Sequence, residues 1–137
     1  MASEPVARRL AICARPQCLE RVHELLTALW LDTPHVAAAD RIAFETAVAE
    51  VAANIVEHAG AGAQVELDLV VAAHDDRMEA CFRDTGRAAD VDVASAEMPD
   101  DLAETGRGLP LARAAADVSY ERAGAVNRWR VTRRLGS

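Results

Sequence analysis

Residues 44–58 have the sequence FETAVAEVAANIVEH, which contains the clearest helical pattern of the chain. Pro34 precedes the segment and the glycine-rich residues 60–62 follow it, and these residue types end or cap helices. We therefore predict a helix over residues 35–57. Its apolar residues recur at the spacing of one buried face. That predicted core stripe consists of Phe44, Val48, Val51 and Ile55.

The same helix carries three polar residues at four-residue steps, Glu50, Asn54 and His58. Four residues turn a helix by about 400°, so the three side chains lie within a sector of about 80° on one face. Such a stripe is common on solvated surfaces. Its functional meaning therefore depends on motifs further along the chain.

The remaining segments alternate between strand-like and helix-like patterns. In order, we predict a strand over 6–14, a helix over 18–31, the helix described above, strands over 64–72 and 78–83, a helix over 110–117, and strands over 118–121 and 127–135. Residues 84–106 show little periodicity, which fits either disorder or a functional lid. The chain has no internal repeat and no linker, so one domain is predicted over residues 1–137.

The charge balance limits the possible partners. The 137 residues include 22 acidic and 15 basic side chains, for a net charge of −7, and every basic residue is arginine. The lack of lysine excludes a P-loop and the strand lysine of eukaryotic-type protein kinases. An acidic chain without a basic stripe is not predicted to bind nucleic acid. The C-terminal arginines are predicted to lie on a solvated strand face: Arg128, Arg130, Arg133 and Arg134.

Targeting signals and cysteine chemistry give two further exclusions. No apolar run approaches the ~20 residues that span a bilayer, and the N-terminus lacks a secretory pattern, so a cytoplasmic protein is predicted. The three cysteines, Cys13, Cys18 and Cys81, are odd in number and form no C-x-x-C pair. Buried free thiols are therefore expected rather than disulfides or a zinc site.

Two glycine motifs follow the long helix. Residues 84–86, Asp-Thr-Gly, come at the end of a predicted strand, where the carboxylate can accept a hydrogen bond from an exocyclic amine and the glycine admits a close ligand. Residues 105–109, Thr-Gly-Arg-Gly-Leu, precede Pro110. A helix that begins at Pro110 would point its first N–H groups at an anion. The motif is not a Rossmann fingerprint, because the third glycine and the preceding strand are missing.

Taken in order, the three motifs resemble the N, G1 and G2 boxes of the GHKL ATP-binding superfamily, and in particular its small anti-sigma-factor serine kinases. The N box matches residues 45–58, the G1 box residues 82–86 and the G2 box residues 106–109. The resemblance covers nearly the whole chain. It implies an α+β fold, a two-layer α/β sandwich of the GHKL (Bergerat) ATP-binding type, with a mixed, mainly antiparallel sheet and helices on one face. ATP would lie between the long helix and a mobile lid over about residues 85–106.

The resemblance also implies a role for each matching residue. Glu50 would be the general base toward a substrate serine, and Asn54 would ligate Mg²⁺. His58 would brace the site or contact phosphate, while Asp84 would bind the adenine amino group with Gly86 beside it. The phosphates would be wrapped by Thr105, Gly106, Arg107, Gly108 and Leu109. This chain departs from the family pattern at Ala88, where a second G1 glycine is usual.

The function implied is an ATP-dependent protein serine kinase that acts as an anti-sigma factor. It would phosphorylate an anti-anti-sigma factor and sequester a sigma factor, with ATP and Mg²⁺ as cofactors. A homodimer formed through the first strand and helix is a further option. Two alternatives stay open. One is a module that binds ATP as a regulatory ligand without phosphotransfer. The other is a detached histidine-kinase ATP domain.

Overall fold

The computed structural model describes residues 4–59, 64–88 and 104–136. Within these ranges the chain forms β1 (Val6–Cys13), α1 (Cys18–Leu31), α2 (Ala38–Ala59), β2 (Glu66–Ala73), β3 (Arg77–Asp84), α3 (Glu104–Ala115), β4 (Asp117–Ala123) and β5 (Val126–Arg134). This is the predicted order of helices and strands, and α1 has the predicted bounds.

The five strands form one sheet in the order β1-β2-β3-β5-β4. Every pairing among these strands is antiparallel, so the mixed sheet that the resemblance implied is not found in the described part of the chain. The pairing of β3 with β5 places Asp84, at the end of β3, directly opposite Asn127, near the start of β5. The sheet topology thus places the Asp84 carboxylate, at the end of β3, next to side chains of the hairpin formed by β4 and β5.

One face of the sheet is buried under helices. Alternate strand residues are buried because side chains point to opposite faces of a strand. On the three central strands the buried apolar residues are Leu67, Leu69, Val71, Ala73, Met78, Ala80, Phe82, Trp129 and Val131. α1 packs on β1 and β2, and α2 packs on β3 and β5. The predicted two-layer α+β architecture is confirmed.

α2 contributes a large share of the helical side of the core. Its predicted stripe is buried, with Phe44, Val48 and Val51 at 0% exposure and Ile55 at 4%. Burial of each such side chain contributes about 1.5–3 kcal/mol relative to an exposed one. Among the described residues, no helix has the combined length and apolar character needed to span a membrane.

The spacing of the apolar residues in α1 predicts a buried stripe of Leu19, Val22, Leu25, Leu26 and Leu29, and this prediction is wrong at Leu19. Leu19 is 37% exposed, whereas the neighbouring Cys18 is fully buried in the core. Burial raises the pKa of the Cys18 thiol, which keeps it protonated and therefore unreactive. All three cysteines are free, but Cys13 and Cys81 are only half-buried, so the prediction of buried free thiols is confirmed for Cys18 alone.

α3 begins earlier than its proline suggested. The helix starts at Glu104, and Pro110 lies inside it rather than at its first turn. Leu109 and Ala112 are buried at 4% and 0% exposure, and α3 packs against α2. Because these two residues are three apart, they form one apolar stripe only if the helix already exists before the proline. The prediction of a helix that is entered at Pro110 was therefore wrong.

Two loops lie next to the sheet, one after β3 and one between β4 and β5. Of the predicted lid over residues 85–106, residues 89–103 lie outside the described ranges. The C-terminal hairpin turns at Gly124, which lies between β4 and β5 with φ of 61°. This left-handed conformation is one that glycine adopts without steric cost.

A buried ion pair joins the start of α2 to the end of β5. Asp40 is 5% exposed, its Oδ1 accepts a hydrogen bond from Arg133 Nε at 3.1 Å, and the same oxygen lies 3.0 Å from Arg133 Nη2. Arg133 Nη1 also donates to the carbonyl of Ala115 at the end of α3. Arg128 and Arg130 are exposed as predicted, but Arg133 points to the helical side of the sheet, so the prediction of one solvated arginine face was wrong there.

We expect Asp40→Asn to lower the free energy of unfolding by about 3 kcal/mol, because it leaves the Arg133 guanidinium partly buried without its counter-charge. Chemical denaturation measures this change. Asp68→Asn is the matched control, since it breaks the exposed pair with Arg9 and should have a far smaller effect. Equal losses in the two variants would contradict a structural role for the Asp40–Arg133 pair.

Candidate functional site

The G1 motif forms a tight turn at the end of β3. Asp84 is 4% exposed, and its Oδ1 accepts a hydrogen bond from the N–H of Gly86 at 3.0 Å. A Cβ atom at residue 86 would lie 3.0 Å from that same Oδ1 and 3.6 Å from Val65 Cγ1. Any side chain at this position would press on the carboxylate. Glycine is therefore favoured here, because any Cβ would force the Asp84 carboxylate to shift by a few tenths of an ångström.

Asn54 and His58 project from α2 toward this turn. Together with Asp84 and Gly86 they line one cavity, whose other described walls are Ile55, Arg87, Asn127 and Trp129. The structure thus brings together four of the residues that the sequence singled out. Two of them come from the long helix and two from the turn after β3.

The Asn54 side chain has the character of a ligand-binding group. It is only 7% exposed, yet among the described residues it has no hydrogen-bond partner. Among the described residues no fully buried side-chain nitrogen or oxygen lacks a partner, so the Asn54 amide reaches the open space of the cavity, where water or a ligand can meet it. Its oxygen is a hard, neutral donor of the kind that Mg²⁺ accepts when phosphates and water complete the octahedron. The residues present therefore fit a magnesium nucleotide in their chemistry.

The cavity is smaller than a nucleotide. Its volume is ≈ 10 Å³, which is room for about one water molecule. Nucleotide entry therefore requires these walls to move apart. Arg87, an exposed wall residue just past the G1 turn, lies in the segment predicted as the lid and is not packed in the core.

Glu50 lies outside this cavity, although it is one helical turn from Asn54. It is half-buried and lines a groove of ≈ 430 Å³ between α1 and α2. The groove has apolar walls at Leu19, Val22 and Leu26 and further polar walls at His23 and Glu45. Adjacent turns of α2 therefore line two different clefts. The carboxylate faces the larger one, and the carboxamide faces the smaller one.

The G2 residues lie in the first turns of α3. Thr105, Gly106, Arg107 and Gly108 belong to the helix, and Leu109 is a core residue at 4% exposure. The first N–H groups of a helix have no acceptor within the helix and favour an anion. Those groups belong to residues 104–107, six residues before the position that the sequence suggested. The free N–H groups at the start of α3 therefore lie at the beginning of the G2 segment and not at the residues after Pro110.

Sequence reasoning missed Asn127, which the register places against Asp84. It is 3% exposed and donates from Nδ2 to Asp84 Oδ1 at 2.9 Å. A signal was present, since asparagine is depleted in strands and Asn127 stands in the inward-facing alternation with Trp129 and Val131. A polar residue at such a position indicates a buried hydrogen-bonding role.

The comparisons with known proteins agree with this arrangement. Residues 12–133 match the model of the family described as histidine kinase-like ATPase domain. No curated protein matches the chain. Among twelve matching chains of solved structures is the crystal structure of the RsbU and RsbW domains of Rv1364c from Mycobacterium tuberculosis, with a TM-score of 0.64 and 19% identity. The alignment covers 97% of this chain and 32% of that one, so this chain spans about a third of its length.

At that identity the structural likeness shows the fold alone. The family match is broader evidence, because it runs from the end of β1 to the end of β5 and includes the N, G1 and G2 motifs. These motifs contain the side chains that meet in the cavity between α2 and the turn after β3. This chain belongs to the histidine kinase-like ATPase domain family.

Proposed function

We propose that this protein is an ATP-dependent protein serine kinase that acts as an anti-sigma factor. It phosphorylates an anti-anti-sigma factor and sequesters a sigma factor. The observation that carries the kinase proposal is the division of α2 between two clefts. Asn54 faces a small cavity whose lining residues suit a magnesium nucleotide in their chemistry, and Glu50, one turn away, faces an open groove suited to a protein segment.

In the proposed complex, the nucleotide is held by groups from three parts of the chain. Asp84 accepts a hydrogen bond from the adenine amino group, with Gly86 against the base. Asn54 holds Mg²⁺, and His58 lies beside the phosphates. The backbone of residues 105–109 wraps the phosphates. Bound MgATP supplies the phosphoryl group and neutralises its charge.

The role of Glu50 follows from its position. A serine hydroxyl is a weak nucleophile, and a carboxylate that orients it and accepts its proton typically contributes 10²–10⁴-fold to the rate. Glu50 has no ion-pair or hydrogen-bond partner among the described residues, so its oxygens are available to such a hydroxyl. Its carboxylate is half-buried at the edge of the groove, where a docked serine can reach it.

The groove between α1 and α2 supports a protein substrate rather than a small molecule. It is open to solvent, and its apolar wall includes Leu19, which is 37% exposed. Exposed leucine beside a carboxylate is suited to a peptide segment that presents a serine next to apolar residues. The likeness to a structure containing an RsbW domain supports this architecture, while the choice of partners rests on the resemblance of the three boxes.

The deciding experiment incubates the purified chain with γ-labelled ATP, Mg²⁺ and anti-anti-sigma proteins encoded near its gene. We expect acid-stable phosphate on a serine of one partner. Acid-labile phosphate on a histidine would identify a detached histidine-kinase domain instead. Binding of ATP with no transfer to any such partner would favour the regulatory binding module and overturn the kinase proposal.

A further inference from the structure

The side chain of Asn127 is the centre of a hydrogen-bond network behind Asp84. Besides Asp84, its Nδ2 donates to the carbonyl of Gly86 at 3.2 Å and to that of Arg87 at 2.8 Å. Its Oδ1 accepts from the Tyr120 hydroxyl at 2.6 Å and from Arg122 Nη1 at 2.9 Å. All five contacts converge on a residue that is 3% exposed.

The chemistry of these partners fixes the orientation of the amide. A guanidinium only donates, whereas an ionised carboxylate and backbone carbonyls only accept. Reversing the amide would set its oxygen against Asp84 and two carbonyls, and its NH₂ group against Arg122. Only one orientation satisfies every partner. The amide therefore cannot adapt to a different state of Asp84 without losing bonds.

This fixed amide determines which oxygen of Asp84 a ligand meets. Within the described residues, both hydrogen bonds to the carboxylate go to Oδ1, from Asn127 Nδ2 and from the Gly86 N–H. Oδ2 is the oxygen left to accept a bond from a ligand. An ionised carboxylate accepts hydrogen bonds and donates none. A ligand must therefore offer a donor to Oδ2.

The same network holds the backbone after the G1 turn. The Gly86 carbonyl accepts from both Asn127 and Arg122, the latter at 3.0 Å, so residues 86 and 87 are tied to the β4–β5 hairpin. The next residue is Ala88, where the family pattern has its second glycine. In this chain, side-chain donors from β4 and β5 set the position of the turn.

We infer that Asn127 is a positioning residue that sets the base selectivity of this site. It holds Asp84 so that Oδ2 accepts a hydrogen bond from the amino group of an amino-purine and disfavours the carbonyl oxygen of a keto-purine. The inference rests on the proposed nucleotide site. Guanine would place its O6 oxygen against Oδ2, two acceptors facing each other. Without the Asn127 amide, the Asp84 carboxylate can rotate and so relieve the contact between these two acceptors.

The test measures the dissociation constants of MgATP and MgGTP for the wild type, Asn127→Ala, Tyr120→Phe and Ser119→Ala, by calorimetry. We expect Asn127→Ala to reduce the preference for ATP over GTP by about tenfold, since a hydrogen bond to a charged group is lost. Tyr120→Phe removes one bond to Oδ1 of Asn127 and should reduce the preference by a smaller factor. Ser119→Ala, next to Tyr120 but exposed on the other face of the sheet, should leave the preference unchanged.

The outcomes separate this inference from the proposed function. If the wild type binds neither nucleotide, the proposed site fails and the selectivity role fails with it. If the wild type prefers ATP and both network variants keep that preference, Asn127 is only structural and the inference is overturned. Far-UV circular dichroism confirms that each variant is folded. Should Asn127→Ala fail to fold, the preference measured for Tyr120→Phe decides the question.

Discussion

Replacement of Glu50 by glutamine should reduce phosphate transfer to the partner serine by about 10²–10⁴-fold while nucleotide affinity stays unchanged. The amide has nearly the same shape as the carboxylate but cannot accept the serine proton. Because Glu50 lines the groove between α1 and α2 and is not a described wall of the Asn54 cavity, the substitution should not disturb the nucleotide. Single-turnover transfer of labelled phosphate measures the first effect, and calorimetry with MgATP measures the second.

Glu57→Gln is the matched control for this experiment. It makes the same chemical change on the same helix, at an exposed position one turn from the end of α2. Transfer should proceed at the wild-type rate in that variant. A Glu50→Gln protein with a normal transfer rate would remove Glu50 from the role of base. Loss of both transfer and affinity would show that Glu50 acts on the nucleotide instead.

Much of the fold was predictable because long periodic segments dominate it. The bounds of α1 were predicted correctly, and the four apolar residues that define the α2 stripe are all buried. Prediction failed where one local signal competed with packing. Pro110 is a typical first residue of a helix, but Leu109 before it packs in the core, and that burial extends α3 back to Glu104.

Long-range pairing explains the other failures. Alternation along β5 correctly placed Arg128 outward but could not show that Arg133 has a buried partner 93 residues earlier in the chain. Asn127 was missed for the same reason, since its importance comes from the register between β3 and β5. A sequence pattern reports which face a residue occupies. It does not report which residue from a distant segment meets it there.

The sequence identified residues that lie close together in the structure, but it did not show how they are arranged there. Helical spacing placed Glu50, Asn54 and His58 on one face of α2, and this is compatible with the structure. The spacing could not show that α1 meets that face beside Glu50, which divides the stripe between two clefts. The division is what makes the two functions separable by mutation. A base variant and a metal-ligand variant should therefore fail in different assays.

Asn54→Ala should lower the affinity for MgATP by about 100-fold or more and abolish its dependence on Mg²⁺, because the lost oxygen is the proposed protein ligand of the cation and such a cation contributes several kcal/mol. The fold should tolerate the change, since among the described residues the side chain makes no hydrogen bond that would be lost. Binding can be followed by the fluorescence of Trp129, a buried wall of the cavity, in a Trp30→Phe background.

His58→Asn is the control that separates loss of the metal ligand from a general loss of nucleotide affinity. His58 lines the same cavity one turn later, so its loss should weaken binding while leaving the remaining affinity sensitive to EDTA. In Asn54→Ala, by contrast, the residual affinity should be the same with Mg²⁺ and with EDTA. An Asn54→Ala protein whose binding remains tight and Mg²⁺-dependent would exclude Asn54 as the ligand. The cation would then have to be held by groups other than Asn54.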